Sequence, residues 1–336
     1  MEVLLSGTAG AAGRPEPGCR CVSCLSCDGP PAGPRRPFEV LVDGRVPFPF
    51  SDVPPGYRAW GGGLGLTGPD GGGLLCVPPG REPPADLPDR LDLVLIDLLD
   101  RPERLGLLRR THPDAAAVAV GLDHRIRSES ELDRRLRLWG ALAVPDGTVL
   151  RTTVPRTSAT GAGHWGPRVL LLGGSRSGKS AEAELRLAAE PYVTYVATGP
   201  GGAGDGEWAA RVRAHRERRP AHWDTVETTD LVAALKEATT PLLVDGLGTW
   251  LAAVFDEHGA WEGDRAPVRR RCDELVAAWR QAPQAVVAVS DEVGMGVVPA
   301  TASGRAFRDA LGRLNERLAA ESEHVALVVA GRVLEL

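Results

Sequence analysis

The C-terminal half of the chain alternates short apolar runs with longer stretches of helical periodicity. Continuous apolar runs bounded by turn residues are typical of strands that are buried on both faces of a parallel sheet. Strands that alternate with helices imply right-handed crossovers between parallel strands. We therefore expect an α/β fold with a mostly parallel sheet and helices on both of its faces. The predicted strands are Arg168–Leu172, Tyr192–Ala197, Pro241–Asp245, Ala285–Ser290 and Val325–Ala330, the predicted helices are Ala181–Glu190, Glu207–Arg218, Gly304–Ala320 and one from Leu247 onward, and Val333–Leu336 is a candidate antiparallel edge strand.

The N-terminal half, residues 1–152, has a less regular order, and glycine and proline crowd the stretch 54–84. We expect a separate α+β domain there, with many loops. Residues 153–167 are small and polar, are interrupted by glycine and proline and show no periodicity, which predicts a linker to a second domain at 168–336. The predicted N-terminal strands are Val3–Leu5, Phe38–Val42, Leu74–Val77, Leu93–Ile96 and Ala116–Val120, and the predicted helices are Pro102–Arg110 and Glu129–Trp139.

Composition limits the partners and the compartment. The 336 residues are 43% hydrophobic and 25% charged with a net charge of -5, which is typical of a globular protein without electrostatic attraction for nucleic acid or anionic membranes. The start of the chain lacks the basic and apolar segments of a signal peptide, and no stretch approaches the roughly 18 apolar residues that span a bilayer. We therefore expect a cytoplasmic protein with no integral membrane segment, whose partners are small molecules.

A glycine-rich turn, GGSRSGKS at residues 173–180, lies between a predicted buried strand and a predicted helix. It fits the P-loop pattern GxxxxGKS, in which backbone amides surround the phosphates of a nucleotide, the lysine reaches the β and γ oxygens and the serine hydroxyl binds magnesium. Lys179 is one of only two lysines in a chain with 37 arginines, which indicates that a compact ammonium group is needed there. Nucleotide binding is the predicted function, and an unused phosphate loop is the alternative.

Two further polar residues each allow two interpretations. Asp245 ends an apolar run, where P-loop proteins carry the second acidic contact to magnesium, the Walker B position; the same residue also suits the N-cap of the following helix. His215 lies late in a predicted helix among several arginines. It is either a favourable charge near a helix C-terminus or a nucleophile that attacks an α-phosphate to form a phosphoramidate, with the arginines neutralising the phosphate oxygens.

Six motifs follow one another from about residue 169 to the C-terminus: GGSRSGKS, YVATG at 195–199, AARVRAHRERRPAHWDTVET at 209–228, LLVDGLGTWL at 242–251, VSDEVGMGVVP at 289–299 and GRAFRDALGRLNERLA at 304–319. Together they resemble the bifunctional adenosylcobinamide kinase/adenosylcobinamide-phosphate guanylyltransferases of cobalamin nucleotide-loop assembly. The resemblance implies that ATP or GTP phosphorylates adenosylcobinamide, and that GMP then passes from GTP through a guanylyl-histidine to give adenosylcobinamide-GDP. It also implies a homo-oligomer. The alternative is a nucleotide-gated binding or regulatory module with a partner-recruiting N-terminal domain.

The same resemblance assigns roles to individual residues. His215 becomes the nucleophile that holds GMP, and Ser180 and Asp245 become the ligands of Mg²⁺. Asp291 and Glu292 would orient magnesium or the corrinoid hydroxyl. The nucleotide contacts that it implies are Gly173, Gly174, Ser175, Arg176, Ser177, Gly178, Lys179 and Ser180 around the triphosphate, and Ala197, Thr198, Gly199, Arg216, Glu217, Arg218, Arg219, Glu227 and Asp245 around the guanine nucleotide.

Three positions depart from the pattern of that family. Gly246 and Gly248 stand where the family has a cysteine and a hydroxyl residue, and Glu316 stands where it often has glutamine. The phosphate chemistry described above requires none of these side chains, so any effect would fall on corrinoid binding or subunit packing.

Four cysteines fall within nine residues near the N-terminus, Cys19, Cys21, Cys24 and Cys27. Clustered thiols in a chain without an export signal are typical of a structural Zn²⁺ site rather than of disulfides. Because four ligands from so short a run strain a tetrahedron, a distant histidine, His124 or His112, is a candidate to replace one of them. The alternative is a set of reduced thiols that face solvent.

The opening segment LLSGTAGAAGRPEPGCRCVSC also resembles the start of metallo-β-lactamase-fold hydrolases of the phosphodiesterase branch, with weaker similarity at Leu93–Leu98 and Val120–Arg125. Those hydrolases hold two catalytic metals with an HxHxDH run, whereas residues 1–152 contain only His112 and His124. The resemblance therefore implies a shortened and catalytically silent relative of that fold. Scaffolding, regulation and docking of the corrinoid all remain open as its role.

Overall fold

The protein divides into two compact units. The computed structural model describes residues 1–27, 33–152, 167–199 and 219–336. Unit 1 comprises Met1–Gly161 and Ala188–Pro191, and unit 2 comprises Ala162–Leu187 and Tyr192–Leu336. Most of the predicted linker and the whole predicted helix at 207–218 lie outside the described residues. No helix within the described ranges is long and apolar enough to cross a membrane.

Unit 1 is an α+β arrangement of short strands and a few helices. Its predicted strands and helices are confirmed to within two residues, whereas four strands of two to four residues were not predicted because they are too short to show a periodic pattern. The strands are β1 (Glu2–Gly7), β2 (Glu39–Val42), β3 (Val46–Pro47), β4 (Arg58–Trp60), β5 (Gly65–Thr67), β6 (Gly73–Val77), β7 (Leu93–Ile96), β8 (Ala116–Ala119) and β9 (Thr148–Arg151), and the helices are α1 (Val22–Leu25), α2 (Glu103–Arg109) and α3 (Glu129–Trp139).

Two sheets of unit 1 share one hydrophobic core. The first sheet is antiparallel with strand order β3-β2-β1-β9; the second has order β4-β5-β6-β7-β8, with β6, β7 and β8 parallel. Alternate residues of β1 and β2 point inward, so Val3 and Val42 of the first sheet reach the same core as Leu74 and Leu95 of the second. The two sheets therefore fold together as one layered body.

Unit 2 has the predicted α/β architecture, and those of its predicted elements that lie within the described residues are confirmed, with ends shifted by at most three residues. One strand, Asp224–Glu227, and two helices, Leu231–Lys236 and Ala266–Arg280, were not predicted; the strand is an exposed edge strand, DTVE, without an apolar run. The strands are β10 (Arg168–Gly173), β11 (Thr194–Ala197), β12 (Asp224–Glu227), β13 (Leu242–Asp245), β14 (Val286–Asp291), β15 (His324–Val329) and β16 (Arg332–Glu335), and the helices are α4 (Lys179–Leu187), α5 (Leu231–Lys236), α6 (Leu247–Glu257), α7 (Ala266–Arg280) and α8 (Ala302–Ala320).

The sheet of unit 2 has the strand order β12-β11-β13-β14-β10-β15-β16, parallel except for the predicted antiparallel edge β16. Successive residues of its central strands enter cores on opposite faces: Leu170 and Val244 pack with α6, α7 and α8, whereas Leu171 and Leu243 pack with α4. Burial on both faces explains why these strands are continuous apolar runs. The carboxyl ends of the parallel strands meet at one edge of the sheet, which carries the candidate site.

Candidate nucleotide-binding site

The glycine-rich turn between β10 and α4 is closely packed. The Ser177 amide donates to the Gly174 carbonyl at 3.2 Å, and the Gly331 amide donates to the Ser177 carbonyl at 2.7 Å. A Cβ at Gly173 would lie 2.7 Å from the Val328 carbonyl oxygen, and Gly178 has φ 97, a left-handed conformation that favours glycine. The two glycines are therefore required by the turn itself, and the turn ends where α4 presents its first amides.

Ser177 is a buried polar residue inside this turn. Ser177 is 9% exposed, and its Oγ makes no hydrogen bond within the described part of the chain. A buried hydroxyl without a partner costs free energy, roughly 1–3 kcal/mol. Such a group inside a glycine-rich turn at a helix N-terminus suits a bound anion.

Lys179 begins α4, two residues earlier than the start predicted for that helix. Its Nζ donates to the Gly174 carbonyl at 3.0 Å and pairs with Asp291 Oδ1 at 2.9 Å. Asp291 ends β14 and is the register partner of Gly173 on the adjacent strand. The strand pairing therefore brings the carboxylate of Asp291 to the lysine of the turn.

Asp245, at the end of β13, contacts the P-loop helix. Its Oδ1 accepts a hydrogen bond from Ser180 Oγ at 3.2 Å, and its Oδ2 accepts one from the Tyr195 hydroxyl. Helix α6 has Gly246 as its N-cap, at φ 106 and without a side-chain cap. Asp245 is therefore not the N-cap of this helix, and the side chain instead lies against the serine that the sequence predicted to bind magnesium.

Tyr195 is a site residue that the sequence reasoning missed. Burial raises the pKa of its hydroxyl, and the negative charge of Asp245 raises it further, so the hydroxyl stays protonated and donates. The Arg219 guanidinium lies 3.4 Å from the centroid of the Tyr195 ring. The available sequence signal was a tyrosine, an aromatic residue with a polar hydroxyl, in a predicted strand of the parallel sheet.

The other predicted nucleotide contacts extend along the same edge. Ala197, the last residue of β11, is the register partner of both Asp245 and Glu227, so the three residues lie side by side on adjacent strands. Thr198 is buried, and its hydroxyl donates to the Gly246 carbonyl at 2.7 Å. Gly199 follows it directly. His215, Arg216, Glu217 and Arg218 lie outside the described residues, and their roles stay predictions.

Gly248 has a local steric reason to be glycine. A Cβ at this position would lie 3.0 Å from Asp291 Oδ2, closer than most such contacts. The absence of a side chain here leaves room for the carboxylate that pairs with Lys179. This departure from the family pattern thus falls on the site itself.

Three of the four clustered cysteines of unit 1 come together. The Sγ atoms of Cys19, Cys21 and Cys24 lie within 4.8 Å of one another, and ligand atoms of Glu16, Cys19 and His124 do the same. The amides of Glu16 and Cys24 donate to Cys24 Sγ at 3.4 Å and to Cys21 Sγ at 3.5 Å. Burial raises the pKa of Cys24 to about 11, whereas the Cys24 amide lowers the pKa of Cys21.

The predicted zinc set needs one correction, because Cys27 is not grouped with the other three. Its buried thiol donates to the Ser23 carbonyl at 3.1 Å, one turn back along the chain. His124 is the histidine that lies beside the cluster, with its Nδ1 2.5 Å from Glu16 Oε2. His112 instead contacts the Pro88 carbonyl at 2.8 Å and Thr111.

A glycine-rich turn between a buried parallel strand and a helix, with a lysine at the helix start and an acidic strand end beside it, defines a P-loop nucleotide-binding protein. Residues 169–336 match the family described as cobinamide kinase / cobinamide phosphate guanyltransferase. The chain belongs to this family, and the prediction from its sequence motifs is confirmed for the C-terminal half. It is thus a bifunctional kinase and guanylyltransferase of cobalamin biosynthesis.

Curated relatives agree with this assignment. The bifunctional adenosylcobalamin biosynthesis protein CobU of Salmonella typhimurium is 40% identical over 179 residues, which cover 48% of this chain and 96% of the relative. The corresponding CobP of Pseudomonas aeruginosa is 41% identical over 177 residues, 50% of this chain and 96% of the relative. CobU of Escherichia coli is 36% identical over 178 residues, 48% of this chain and 96% of the relative.

Solved structures show a weaker likeness. An ATPase of the type III secretion system has a TM-score of 0.32 and 12% identity, covering 48% of this chain and 50% of that one. The structure of PH0250 from Pyrococcus horikoshii OT3 has a TM-score of 0.29 and 9% identity to this chain, and the match covers 50% of this chain and 85% of that one.

Proposed function

We propose that unit 2 phosphorylates the hydroxyl of adenosylcobinamide with ATP or GTP and then transfers GMP from GTP to that phosphate. The first step gives adenosylcobinamide phosphate and a nucleoside diphosphate, and the second gives adenosylcobinamide-GDP and pyrophosphate. The observation that carries this proposal is the contact of Ser180 Oγ with Asp245 Oδ1 at 3.2 Å beside Lys179, inside the segment that matches the family. A triphosphate bound along the turn would meet all three side chains.

In this proposal the turn at 173–180 holds the phosphates. The backbone amides of the turn and the first amides of α4 donate to phosphate oxygens, as does the buried hydroxyl of Ser177, which makes no hydrogen bond to any described residue. The ammonium group of Lys179 neutralises the oxygens that gain charge as the γ-phosphoryl group leaves. Because Asp291 pairs with Lys179 at 2.9 Å, a bound triphosphate would share the lysine with this carboxylate.

Mg²⁺ fits the neighbouring pair of oxygen ligands. Ser180 Oγ and the carboxylate of Asp245 are hard donors of the kind that Mg²⁺ binds beside nucleotide phosphates, and they already lie within hydrogen-bonding distance of each other. We propose that these two residues hold the ion. When bound, the ion neutralises charge on the phosphates.

Asp245→Asn tests the magnesium site. We expect the gain in nucleotide affinity on adding Mg²⁺ to fall about 100-fold, because a neutral amide replaces a charged ligand. The measurement is binding of fluorescent mant-GDP or mant-ADP, whichever the wild type binds more tightly, in Mg²⁺ and in EDTA. Asp273→Asn, which changes an exposed aspartate of α7 paired with Arg317, is the matched control. An unchanged gain in Asp245→Asn would exclude this carboxylate as a ligand.

The guanylyl transfer is proposed to pass through His215. The imidazole attacks the α-phosphorus of GTP, an N–P bond forms, the bond to the β-phosphate oxygen breaks and pyrophosphate leaves. An oxygen of adenosylcobinamide phosphate then attacks the same phosphorus and frees the histidine. Support comes from Arg219, which follows the segment that carries His215 and lies on Tyr195, next to Asp245. The arginines at 216, 218 and 219 would neutralise the phosphates, with Ala197, Thr198, Gly199, Glu217 and Glu227 as further nucleotide contacts.

One incubation tests the overall reaction. The protein is mixed with adenosylcobinamide and either GTP alone, ATP alone or both, and the products are identified by mass. We expect adenosylcobinamide-GDP and pyrophosphate whenever GTP is present. If ATP is a donor, ATP alone gives adenosylcobinamide phosphate and stops there. Nucleotide binding without any change in the mass of the corrinoid would overturn the proposal and favour a nucleotide-gated module.

We also propose a structural Zn²⁺ in unit 1, held by Cys19, Cys21, Cys24 and His124. Three thiol sulfurs within 4.8 Å of one another and a nearby imidazole are a Cys₃His donor set, which suits zinc. The backbone amides that donate to Cys21 and Cys24 stabilise thiolates. Because His124 Nδ1 pairs with Glu16, its Nε2 is the nitrogen left for the metal.

Cys24→Ser should remove the metal, whereas Cys27→Ser should leave it in place. We expect about one zinc per chain in the wild type and in Cys27→Ser, and a small fraction of that in Cys24→Ser and in His124→Ala, since each loses one of four ligands. The measurement is elemental analysis of protein purified without chelator. Loss of zinc in Cys27→Ser with retention in Cys24→Ser would reverse this assignment of the ligands.

Unit 1 is proposed to be a shortened, catalytically silent relative of the metallo-β-lactamase fold. The absence of catalysis is supported by two acidic residues, Asp97 and Asp123, which follow β7 and β8. Both carboxylates pair with the same protein cation, Arg125. Arg125 donates to Asp123 at 2.8 Å, to Asp97 at 3.2 Å and to Asp100 at 2.5 Å. A guanidinium thus neutralises the acidic groups that a metal would otherwise need.

The wider organisation of the chain stays a proposal as well. We propose an N-terminal domain at 1–152, a linker at 153–167 and a kinase/guanylyltransferase domain at 168–336, in a cytoplasmic homo-oligomer. The two compact units support this division. Their bounds differ from it in two places: the second unit begins at Ala162, and residues 188–191 group with the first unit.

A further inference from the structure

Tyr195 is placed to fix one oxygen of the carboxylate that faces the P-loop. It lies on β11 opposite Leu243 of β13, and Asp245 lies two residues further along β13, on the same face of the sheet. The Tyr195 side chain therefore reaches along the face that α4 covers and donates its hydroxyl to Asp245 Oδ2. The other oxygen, Oδ1, is left toward Ser180 Oγ at 3.2 Å.

Arg219 stacks on the ring of Tyr195. Its guanidinium carbon lies 3.4 Å from the ring centroid, and its Nη1 donates to Thr225 Oγ1 at 3.3 Å. Thr225 is the register partner of Tyr195 on β12, so Arg219 contacts two paired residues of adjacent strands. Tyr195 is only 2% exposed, packed among the residues that α4 covers, and has little freedom to turn away.

We infer that Tyr195 is a positioning residue for the magnesium ligand Asp245 and that Arg219 clamps Tyr195 in that role. A carboxylate on a strand end rotates freely about χ2 unless one oxygen is held, and a hydrogen bond from a buried hydroxyl selects the rotamer that presents the other oxygen to the metal. The inference rests on the proposed role of Asp245 in binding Mg²⁺. It adds that the strand that carries the start of the YVATG motif, and not only the P-loop, sets the affinity for the ion.

Tyr195→Phe tests the positioning role. It keeps the buried ring and removes only the hydroxyl, so we expect the fold and the nucleotide affinity in EDTA to stay unchanged. The gain in mant-nucleotide affinity on adding Mg²⁺ should fall about tenfold, as for other residues that orient a metal ligand. The matched control is Tyr192→Phe, the same change at a tyrosine that is 51% exposed, which should keep the full gain. Thermal melting of both variants checks the fold.

The outcomes separate this inference from the proposed function. If Asp245→Asn loses the gain and Tyr195→Phe behaves like Tyr192→Phe, Asp245 binds the metal without help from the tyrosine and the inference is wrong. If Asp245→Asn keeps the gain, the proposed magnesium site and the inference both fall. An equal loss of affinity in EDTA and in Mg²⁺ for Tyr195→Phe would indicate a general packing defect and would also overturn the inference.

Arg219 is tested by a change that keeps its charge. If Arg219 acts by stacking on Tyr195, Arg219→Lys should reduce the Mg²⁺ gain about 3- to 10-fold, because a lysine lacks the planar group that covers the ring. A full gain in Arg219→Lys would remove the clamp from the inference. Arg305→Lys, on the exposed side of α8, is the control for replacing one arginine by lysine.

Discussion

Replacement of His215 by alanine is expected to abolish the radioactive labelling of the protein by GTP that carries 32P at the α-phosphate. The reason is chemical: the variant lacks the imidazole nitrogen that is proposed to form the covalent bond to GMP. In the wild type the label should be lost in acid and should survive base, which is the behaviour of a phosphoramidate. The measurement is retention of label on the denatured protein after gel separation.

The same variant should separate the two reactions. Because the triphosphate turn at 173–180 does not include His215, His215→Ala should still convert adenosylcobinamide to its phosphate, and product mass should show no GDP derivative. His258→Ala, at the exposed C-cap of α6, is the matched control and should keep both the label and both products. Label that persists in His215→Ala would show that another residue carries GMP, or that none does.

Replacement of Lys179 by alanine should impair both reactions. The lysine is the cation that contacts the glycine-rich turn and Asp291, and removing one preorganised positive group from a phosphoryl-transfer site costs about 10²- to 10³-fold in kcat. We expect losses of this size in the kinase assay. GTP labelling should also fall, because the turn at 173–180 is proposed to bind the triphosphate of the GTP that His215 attacks.

Lys179→Arg sharpens this test. Arginine keeps the charge but is larger and planar, and the lysine side chain is only 12% exposed, so we expect arginine to restore little activity. The chain offers a natural control in Lys236→Arg, at the other lysine, which is exposed in the last turn of α5. Near wild-type kcat in Lys179→Arg would contradict the need for a compact ammonium group.

Prediction from sequence succeeded where burial on both faces left a strong local pattern. The apolar runs at β10, β13 and β14 and the turn at 173–180 were each visible in a few consecutive residues. β12 was missed because it is an exposed edge strand, and the start of α4 was placed two residues late because the P-loop itself provides the first turn of that helix.

Contacts between residues on different strands could be identified only from the tertiary structure. Tyr195 is separated from Asp245 by 50 residues in sequence, and only the parallel register of β11 and β13 brings the hydroxyl to the carboxylate. In unit 1, the sequence offered four clustered cysteines and two histidines as candidate ligands, and only the coordinates separate Cys27 from the cluster and select His124 over His112.

The amino-acid sequence alone determined the fold class of the C-terminal half, the phosphate-binding turn and the family, because all three are encoded in short local patterns of apolar residues, glycines and one lysine. The tertiary structure decided which distant side chains meet: Ser180 with Asp245, Asp245 with Tyr195, Lys179 with Asp291, and His124 with Glu16 beside the thiols. The physical reason is that strand register and loop packing fix such pairs, and neither leaves a periodic signal in the sequence.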